Sequence, residues 1–373
     1  MAAPVSGAGD IDRRFMAAAI RLSRRHLGLT GTNPSVATLI VRDDGQGPVI
    51  VGSGVTALGG RPHAEPQALK EAGELARGAT AYVTLEPCAH HGRTPPCAET
   101  LVSAGVTRVV GAASDPDDRV SGKGYAILRK AGIEVVEGVL AREAADLMAG
   151  YLMRSLRKRP EVTVKLAVSR DGRIGIPGTG QVTITGDIAR RQVHLMRAEA
   201  DVILIGIGTA LADDPELTCR LPGLEARSPA RIVLDARARL PLAAKMVKEA
   251  RRVPVWLAAA ADCDRGRKAA LEGTGVQFLA TEAANGDFAL PELLEDLAGR
   301  GISTLMVEGG AETVGSFLDE DIVDRVALFI GPDEIGPQGI LSPIRQDHMP
   351  EGFRLVREAR YAEDSYSEWV RKA

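Results

Sequence analysis

Aromatic residues are scarce: Phe, Tyr and Trp make up 3% of the 373 residues. No stacking platform for single-stranded nucleic acid is visible in so thin a supply. A basic excess is missing too. The 46 Lys+Arg and 49 Asp+Glu leave a net charge of −3, whereas a nucleic-acid binder normally carries surplus cation. The four cysteines, Cys88, Cys97, Cys219 and Cys263, are too few for a disulfide scaffold in a chain of this length. No apolar run reaches the roughly 18 residues of a membrane span. The opening MAAPVSGAGDIDRRF lacks the apolar core of a secretion signal. Internal repeats and low-complexity segments are absent. The expectation is a cytoplasmic protein with neither nucleic acid nor membrane as partner.

What is present is ordinary globular composition, 45% hydrophobic and 25% charged. At roughly 100–200 residues per domain the length favours two domains. Apolar spacing predicts a helix over 10–27, capped by Asp10, with Ile11, Phe15, Ala19 and Leu22 on one face. Strands follow over 35–42 and 49–55 as a hairpin around Asp43-Asp44-Gly45. A helix over 64–77, a strand over 80–85, a helix over 98–104, a strand from 108, a helix over 124–130 and a strand over 133–136 continue the alternation. It implies a layered α/β domain. One helix over 141–157 ends in the basic stretch Arg154–Arg159, a solvated helix end that suits the macrodipole. Pro160 marks the boundary between domains 1–159 and 160–373. Alternation then restarts, with strands over 162–168, 201–206, 231–234, 253–257, 304–307 and 326–330, and helices over 188–198 and 290–299.

The chemistry concentrates in His63-Ala64-Glu65, Pro87-Cys88 and Cys97. A catalytic zinc ion takes three imidazole or thiolate ligands and keeps one position open for water. His63, Cys88 and Cys97 supply those three. Glu65, two residues from the histidine, is placed to take a proton from the zinc-activated water and deliver it to a leaving amine. Zinc deaminases use an H-x-E…P-C-x-x-C pattern; here the second cysteine lies nine positions beyond the first. The intervening loop carries His90, His91 and Arg93, expected to line a substrate pocket. Asn33, before Pro34, is expected to grip a polar ring edge. Pro66 fits the first turn of a helix. Helix N-termini at His63 and near Cys97 would favour the thiolates.

At these residues the sequence resembles the bifunctional riboflavin-biosynthesis deaminase/reductases. The matching segments are Thr32-Asn33-Pro34, His63-Ala64-Glu65, the run from Val83 to Cys97, Ala104-Gly-Val, Asp115-Pro116 and Gly122-Lys-Gly124. The resemblance continues through Lys165–Gly172, Gly206–Thr209, Leu211–Pro215, Leu217–Arg220 and Glu308–Ser316, and so covers nearly the whole chain. It implies an N-terminal cytidine-deaminase-like three-layer domain and a C-terminal dihydrofolate-reductase-like domain, both α/β. It implies two steps. A ring amino group of diaminohydroxyphosphoribosylaminopyrimidine is hydrolysed, and then NADPH reduces the ribosyl group to ribityl. Zn2+ and NADPH/NADP+ are the implied cofactors, a phosphorylated pyrimidine the substrate, and a homodimer the expected state.

For the second half the resemblance implies substrate contacts by Lys165, Gln181, Arg197, Leu217, Arg220 and Glu308. It implies cofactor contacts by Ala167, Thr183, Thr185, Thr209, Asp213, Gly310, Ala311, Glu312, Thr313 and Val314. Physically, two glycines before a helix let backbone approach a phosphate. Arg197 and Arg220 are expected to fork a substrate phosphate, and Thr209 and Asp213 to hold cofactor hydroxyls. Lys165 has a bland alternative, a strand lysine snorkelling to solvent. Cys219 and Cys263 read as packed or loop thiols. The chain departs from the family pattern at Gln181 and Thr183, where Ser and Trp are usual. It departs also at Ala37, for a usual glycine, and at Pro66, for a common valine. An active deaminase whose impaired reductase domain serves dimerisation or substrate binding is therefore the alternative. A nucleic-acid deaminase and a non-enzymatic zinc protein stand further off, the first disfavoured by charge and the second by an intact Glu65.

Overall fold

In the computed structural model, which describes residues 9–91, 95–117, 120–284 and 287–372, internal contacts divide the chain into two units, Met1–Lys158 and Arg159–Ala373. The first contains α1 (Asp10–Ser23), β1 (Ala37–Arg42), β2 (Val49–Val55), α2 (Ala64–Ala72), β3 (Thr80–Leu85), α3 (Cys97–Ser103), β4 (Arg108–Ala113), α4 (Lys123–Lys130), β5 (Glu134–Val136), α5 (Ala141–Leu147) and α6 (Ala149–Arg157). Its sheet runs β2-β1-β3-β4-β5. β1 is antiparallel to β2 and β3, and β3, β4 and β5 are parallel. β1 is buried along nearly its whole length, because α1 and α2 both pack on it within a three-layer α/β arrangement. Leu39, Ile40, Val83, Leu101 and Val110 fill the core, each burial favouring folding by about 1.5–3 kcal/mol.

Two glycines set the position of α2. A Cβ on Gly54 would lie 2.1 Å from the Ala64 carbonyl oxygen, and one on Gly52 2.2 Å from that of Ala68. The helix that starts beside His63 thus rests directly on β2 backbone. Gly54→Ala is expected to push α2 outward, costing about 1–3 kcal/mol by overpacking and loosening the metal site. Thermal unfolding and zinc stoichiometry check this: an unchanged melting point with full zinc would contradict it.

Three local expectations need correction. α1 is preceded by Gly9 as its N-cap, and the side chain that closes the first turn is Asp12, which accepts the Gly9 N–H at 3.3 Å. Its buried face is Asp12, Met16, Ala19, Ile20 and Ser23, while Ile11 is exposed. Asp12 also accepts the Tyr82 hydroxyl at 2.9 Å and both terminal nitrogens of Arg108 at 2.7 and 2.9 Å, so a charged group anchors α1 to β3 and β4. Residues 141–157 form two helices, broken at Met148, whose φ/ψ of −104°/17° departs from helical values. The basic stretch is not simply solvated: Arg154 donates to the Thr32 carbonyl at 2.5 Å, and Arg159 forks Asp324.

The second unit contains β6 (Glu161–Val168), α7 (Asp187–Glu199), β7 (Val202–Gly206), α8 (Ile207–Asp213), β8 (Ala230–Leu234), α9 (Lys245–Lys248), β9 (Val255–Ala259), α10 (Arg265–Thr274), β10 (Gln277–Ala280), a small ribbon of β11 (Ala283–Ala284) and β12 (Asp287–Phe288), α11 (Leu290–Gly299), β13 (Thr304–Val307), α12 (Ala311–Asp319), β14 (Arg325–Ile330), β15 (Phe353–Tyr361) and β16 (Asp364–Arg371). Nine strands form one sheet, β10-β9-β8-β7-β13-β6-β14-β16-β15. Those from β10 to β14 in that order are parallel, and β16 and β15 close the edge antiparallel.

Period-2 alternation sorts the faces. Val162, Val164, Leu166 and Val168 join α11 and α12 in one core, with Leu204, Val307, Leu294 and Phe317. Ile203, Ile205, Val233 and Met306 pack on the other side with α9 and α10. Lys165 and Ala167 point to that second side. There Ala167 meets a cluster of Ala189 and Val193 of α7 with Phe329. Helices on both faces of a parallel sheet leave ligands the crevice at the strands' C-terminal ends. Of the side chains expected to bind substrate and cofactor, Lys165 and Ala167 are on β6, Thr209 follows β7, and Glu308 follows β13.

Candidate active sites

In the first unit, two helix starts and the end of β3 bring the expected ligands together. His63 is the N-cap of α2, Cys97 the first residue of α3, and Cys88 follows β3 by three positions. Their ligand atoms all lie within 4.8 Å of one another. His63 Nδ1 is 3.4 Å from Cys97 Sγ and 3.7 Å from Cys88 Sγ. The Cys97 N–H donates to Cys88 Sγ at 3.3 Å, and the Ala98 N–H to the Cys88 carbonyl at 3.2 Å. The Cys97 thiol, with His63 and the Cys97 N–H, outweighs burial and draws the Cys88 thiol down to about 4. Donation to Cys88, together with burial, pushes the Cys97 thiol up. One imidazole and two thiols, with no fourth protein ligand in the group among the described residues, fit a zinc ion that keeps an open position.

Glu65, 3% exposed, lies in the first turn of α2. Burial, and then the Cys88 thiolate, push its carboxyl up, and it accepts a hydrogen bond from the Cys97 thiol. Sequence reasoning missed a second carboxylate. Glu86, 3% exposed, accepts the N–H groups of Gly122 and Gly124 at 3.1 and 3.0 Å. A Cβ on Gly124 would sit 2.0 Å from the Pro87 carbonyl oxygen. The Gly122-Lys-Gly124 turn therefore braces the segment that carries Cys88. Glu86 had a readable sign, its place immediately before Pro87-Cys88.

The expected substrate residues fare unevenly. His90 Nδ1 is buried with no hydrogen-bond partner among the described residues. His91 instead faces Glu99 at 3.3 Å and is mostly exposed. Arg93 lies outside the described residues. The Asn33 side-chain amide lies against Gly60, where a Cβ would come within 2.2 Å of Nδ2, in the loop leading into His63.

In the second unit, register assembles an ion cluster. Val307 pairs with both Val164 and Leu204, so Glu308, the next residue, comes alongside Lys165. Arg197, from the last turn of α7, reaches the same carboxylate. Its Nε and Nη2 lie 2.8 Å from the two oxygens of Glu308, and Lys165 Nζ lies 3.6 Å away. Side-chain exposures are 12%, 8% and 15% for Arg197, Glu308 and Lys165. Burial raises the Glu308 carboxyl, but Arg197 and Lys165 outweigh it and hold it at about 2. Burial shifts Lys165 downward, against the charge of Glu308. Lys165 is thus no snorkelling surface lysine.

Arg197 Nε and Nη2, expected to fork a substrate phosphate, both engage Glu308. Arg220 is exposed and pairs with Glu216 at 3.0 Å. Arg197 Nη1 also donates to the Thr218 carbonyl at 3.3 Å, an acceptor shared with His194 Nδ1 at 3.1 Å. Leu217, buried, has φ +56°, a left-handed backbone uncommon outside glycine. Thr209 accepts the Gly310 N–H at 3.1 Å, so its hydroxyl is engaged by the protein. Gly206 and Gly309 leave room for Thr313. This joins the turns after β7 and β13 and places the N-terminus of α12, with Ala311, Glu312, Thr313 and Val314, beside them. Asp213 ends α8, its carboxyl raised by burial, and Asp214 accepts the Lys245 N–H that starts α9. Gln181 and Thr183 are exposed, while Thr185 is buried. Cys219 is buried and Cys263 half-buried, both free.

The comparisons with known proteins cover both units. Residues 10–113 match the cytidine and deoxycytidylate deaminase zinc-binding region, and residues 160–364 the RibD C-terminal domain. The riboflavin biosynthesis protein RibD of Aquifex aeolicus is 39% identical over 327 residues, 88% of each chain. That of Escherichia coli is 38% identical over 336 residues, 87% of this chain and 89% of its own. Among solved structures, Acinetobacter baumannii RibD superposes with a TM-score of 0.83 at 36% identity, covering 97% of this chain and 99% of that one. A diaminohydroxyphosphoribosylaminopyrimidine deaminase/5-amino-6-(5-phosphoribosylamino)uracil reductase of Thermotoga maritima gives 0.82 at 31% identity, with the same coverage. The similarity spans both units together with the His-Cys-Cys group, and the chain belongs to the RibD family of bifunctional riboflavin-biosynthesis deaminase/reductases.

Proposed function

We propose that the chain hydrolyses a ring amino group of diaminohydroxyphosphoribosylaminopyrimidine and then reduces the ribosyl group of the product to ribityl with NADPH. The observation that carries the first step is the convergence of His63, Cys88 and Cys97 beside a buried Glu65. When bound there, zinc supplies a Lewis acid that makes water a nucleophile near neutral pH. Glu65 takes the proton released as water adds to the ring carbon and carries it to the amine, which leaves as ammonia. Asn33, His90 and Arg93 hold the pyrimidine edge, and burial of Glu65 excludes bulk water from the proton's path.

For the second step, Lys165 and Glu308 hold the reacting sugar, with Arg197 orienting Glu308. Leu217 and Arg220 contact the substrate alongside Gln181. The start of α12 supports cofactor phosphate through the backbone N–H groups of Ala311, Glu312 and Thr313, which precede the first intrahelical bond, with Gly310 and Val314 flanking them. Ala167, Thr183, Thr185, Thr209 and Asp213 border the cofactor. NADPH supplies the hydride. Thiolate ligands suit the reducing cytoplasm, and a homodimer is the expected assembly, checked by solution mass.

The test is a coupled assay on zinc-loaded protein, following ammonia release and NADPH oxidation separately. Both signals are expected. Chelation of zinc is expected to abolish ammonia release and to spare reduction of supplied deaminated intermediate. Ammonia without NADPH oxidation would favour an impaired reductase half, the reading suggested by exposed Gln181 and Thr183. The absence of both signals would overturn the proposal.

A further inference from the structure

We infer that Arg231 is a positioning residue of the reductase centre, holding the 216–220 loop in the shape that orients Arg197 and, through it, Glu308. The inference rests on the assignment of Arg197, Leu217 and Arg220 to the reductase substrate site.

Arg231 is 0% exposed and sits in β8 between Ala230 and Ile232. Its register partners are Ile203 and Val255, so it occupies a place where an aliphatic side chain would pack. A buried guanidinium is retained at a cost unless its donors are satisfied. Here Nη1 donates to the Glu216 carbonyl at 3.2 Å, and Nη2 to the carbonyls of Val253 and, at 3.5 Å, Glu249, while Nε is buried with no partner among the described residues. Two of these acceptors lie just before β9. The third opens the substrate loop.

From Glu216 the connection continues residue by residue. Leu217 is held left-handed, a conformation that persists only where surroundings impose it. The Thr218 carbonyl then faces Arg197 Nη1 and His194 Nδ1. The Cys219 N–H donates to Ser228 Oγ at 3.1 Å, and the Arg220 backbone nitrogen lies 3.4 Å from His194 Nδ1, the nitrogen that donates to the Thr218 carbonyl. Arg197 in turn forks Glu308 beside Lys165. Removal of the Glu216 anchor frees the turn at Leu217, and with it the carbonyl that fixes the second arm of Arg197.

The experiment compares Arg231→Lys and Arg231→Met with wild type by reductase KM and kcat, deaminase kinetics on the same protein, and hydrogen exchange at the Cys219 and Arg220 amides. A positioning role predicts a reductase KM for the phosphorylated aminopyrimidine raised at least tenfold in Arg231→Met and at least threefold in Arg231→Lys. It predicts faster exchange at both amides and unchanged deaminase kinetics. A folded Arg231→Lys with reductase KM and amide exchange within twofold of wild type overturns the inference, whatever its melting point. If wild type shows no NADPH oxidation, the reading of the substrate site fails instead, and exchange at the two amides alone decides the role of Arg231. Should Arg231→Met not fold, Arg231→Lys carries both readouts.

Discussion

Glu65→Gln is expected to lower ammonia release by about 10²–10⁴-fold, the usual contribution of a positioned general acid–base, while zinc content and reductase turnover stay at wild-type levels. The amide matches the carboxylate in shape, so a side chain 3% exposed is replaced without a cavity or an added charge. Glutamine can neither take a proton from the attacking water nor deliver one to the amine. Metal analysis of the purified variant separates this from ligand loss, because Glu65 is outside the His63, Cys88 and Cys97 group. Reduction of supplied deaminated intermediate serves as an internal control for folding of the second unit. Ammonia release within a fewfold of wild type, with zinc bound, would mean that the proton travels by another group and would favour a structural metal.

Most strands were legible because period-2 and continuous apolar runs report burial directly: 49–55, 80–85 and 304–307 have the expected bounds. The metal group was legible for a different reason. Its ligands are rare residue types, two at helix starts and one just after β3, and His63, Cys88 and Cys97 lie within 35 positions of one another. What stayed hidden depends on contacts far apart in the chain. Arg197 reads as a phosphate ligand until Glu308, 111 positions away, is found in its fork. Arg231 was legible only as the start of a strand, since periodicity cannot show three carbonyls converging on a buried guanidinium. Gly52 and Gly54 look like ordinary strand glycines, and only the closeness of α2 shows why a Cβ is excluded. β15 escaped notice because its exposed run Leu355–Glu358 mixes charge with apolar residues and follows neither template. The break at Met148 left no proline or glycine at the point where the helix divides.

The same cluster that was hardest to foresee has the largest predicted effect on stability. Glu308→Gln is expected to destabilise the second unit by about 3–5 kcal/mol, because one carboxylate offsets two buried cations, and removal of one partner leaves uncompensated charge. Reductase activity should disappear, while the deaminase persists at temperatures below the lowered transition. The effect has a pH signature. Glu308 titrates at about 2 in the folded protein against roughly 4.3 in an unfolded chain. Its contribution is therefore fully present above the unfolded value and is lost as pH falls through the folded one. The gap in melting temperature between wild type and Glu308→Gln should be widest near neutral pH and should narrow below about pH 4. A gap independent of pH would show that the carboxylate charge is not what stabilises the cluster. An Arg197→Met, Glu308→Leu double-mutant cycle isolates the pair: the double variant should lose less than the two single losses combined, since Arg197 is no longer stranded and Lys165 is the one cation left without its carboxylate. Lys165 responds as well. Burial already shifts it downward, and without the neighbouring carboxylate it loses its proton at a lower pH still, removing the cation proposed to hold the reacting sugar.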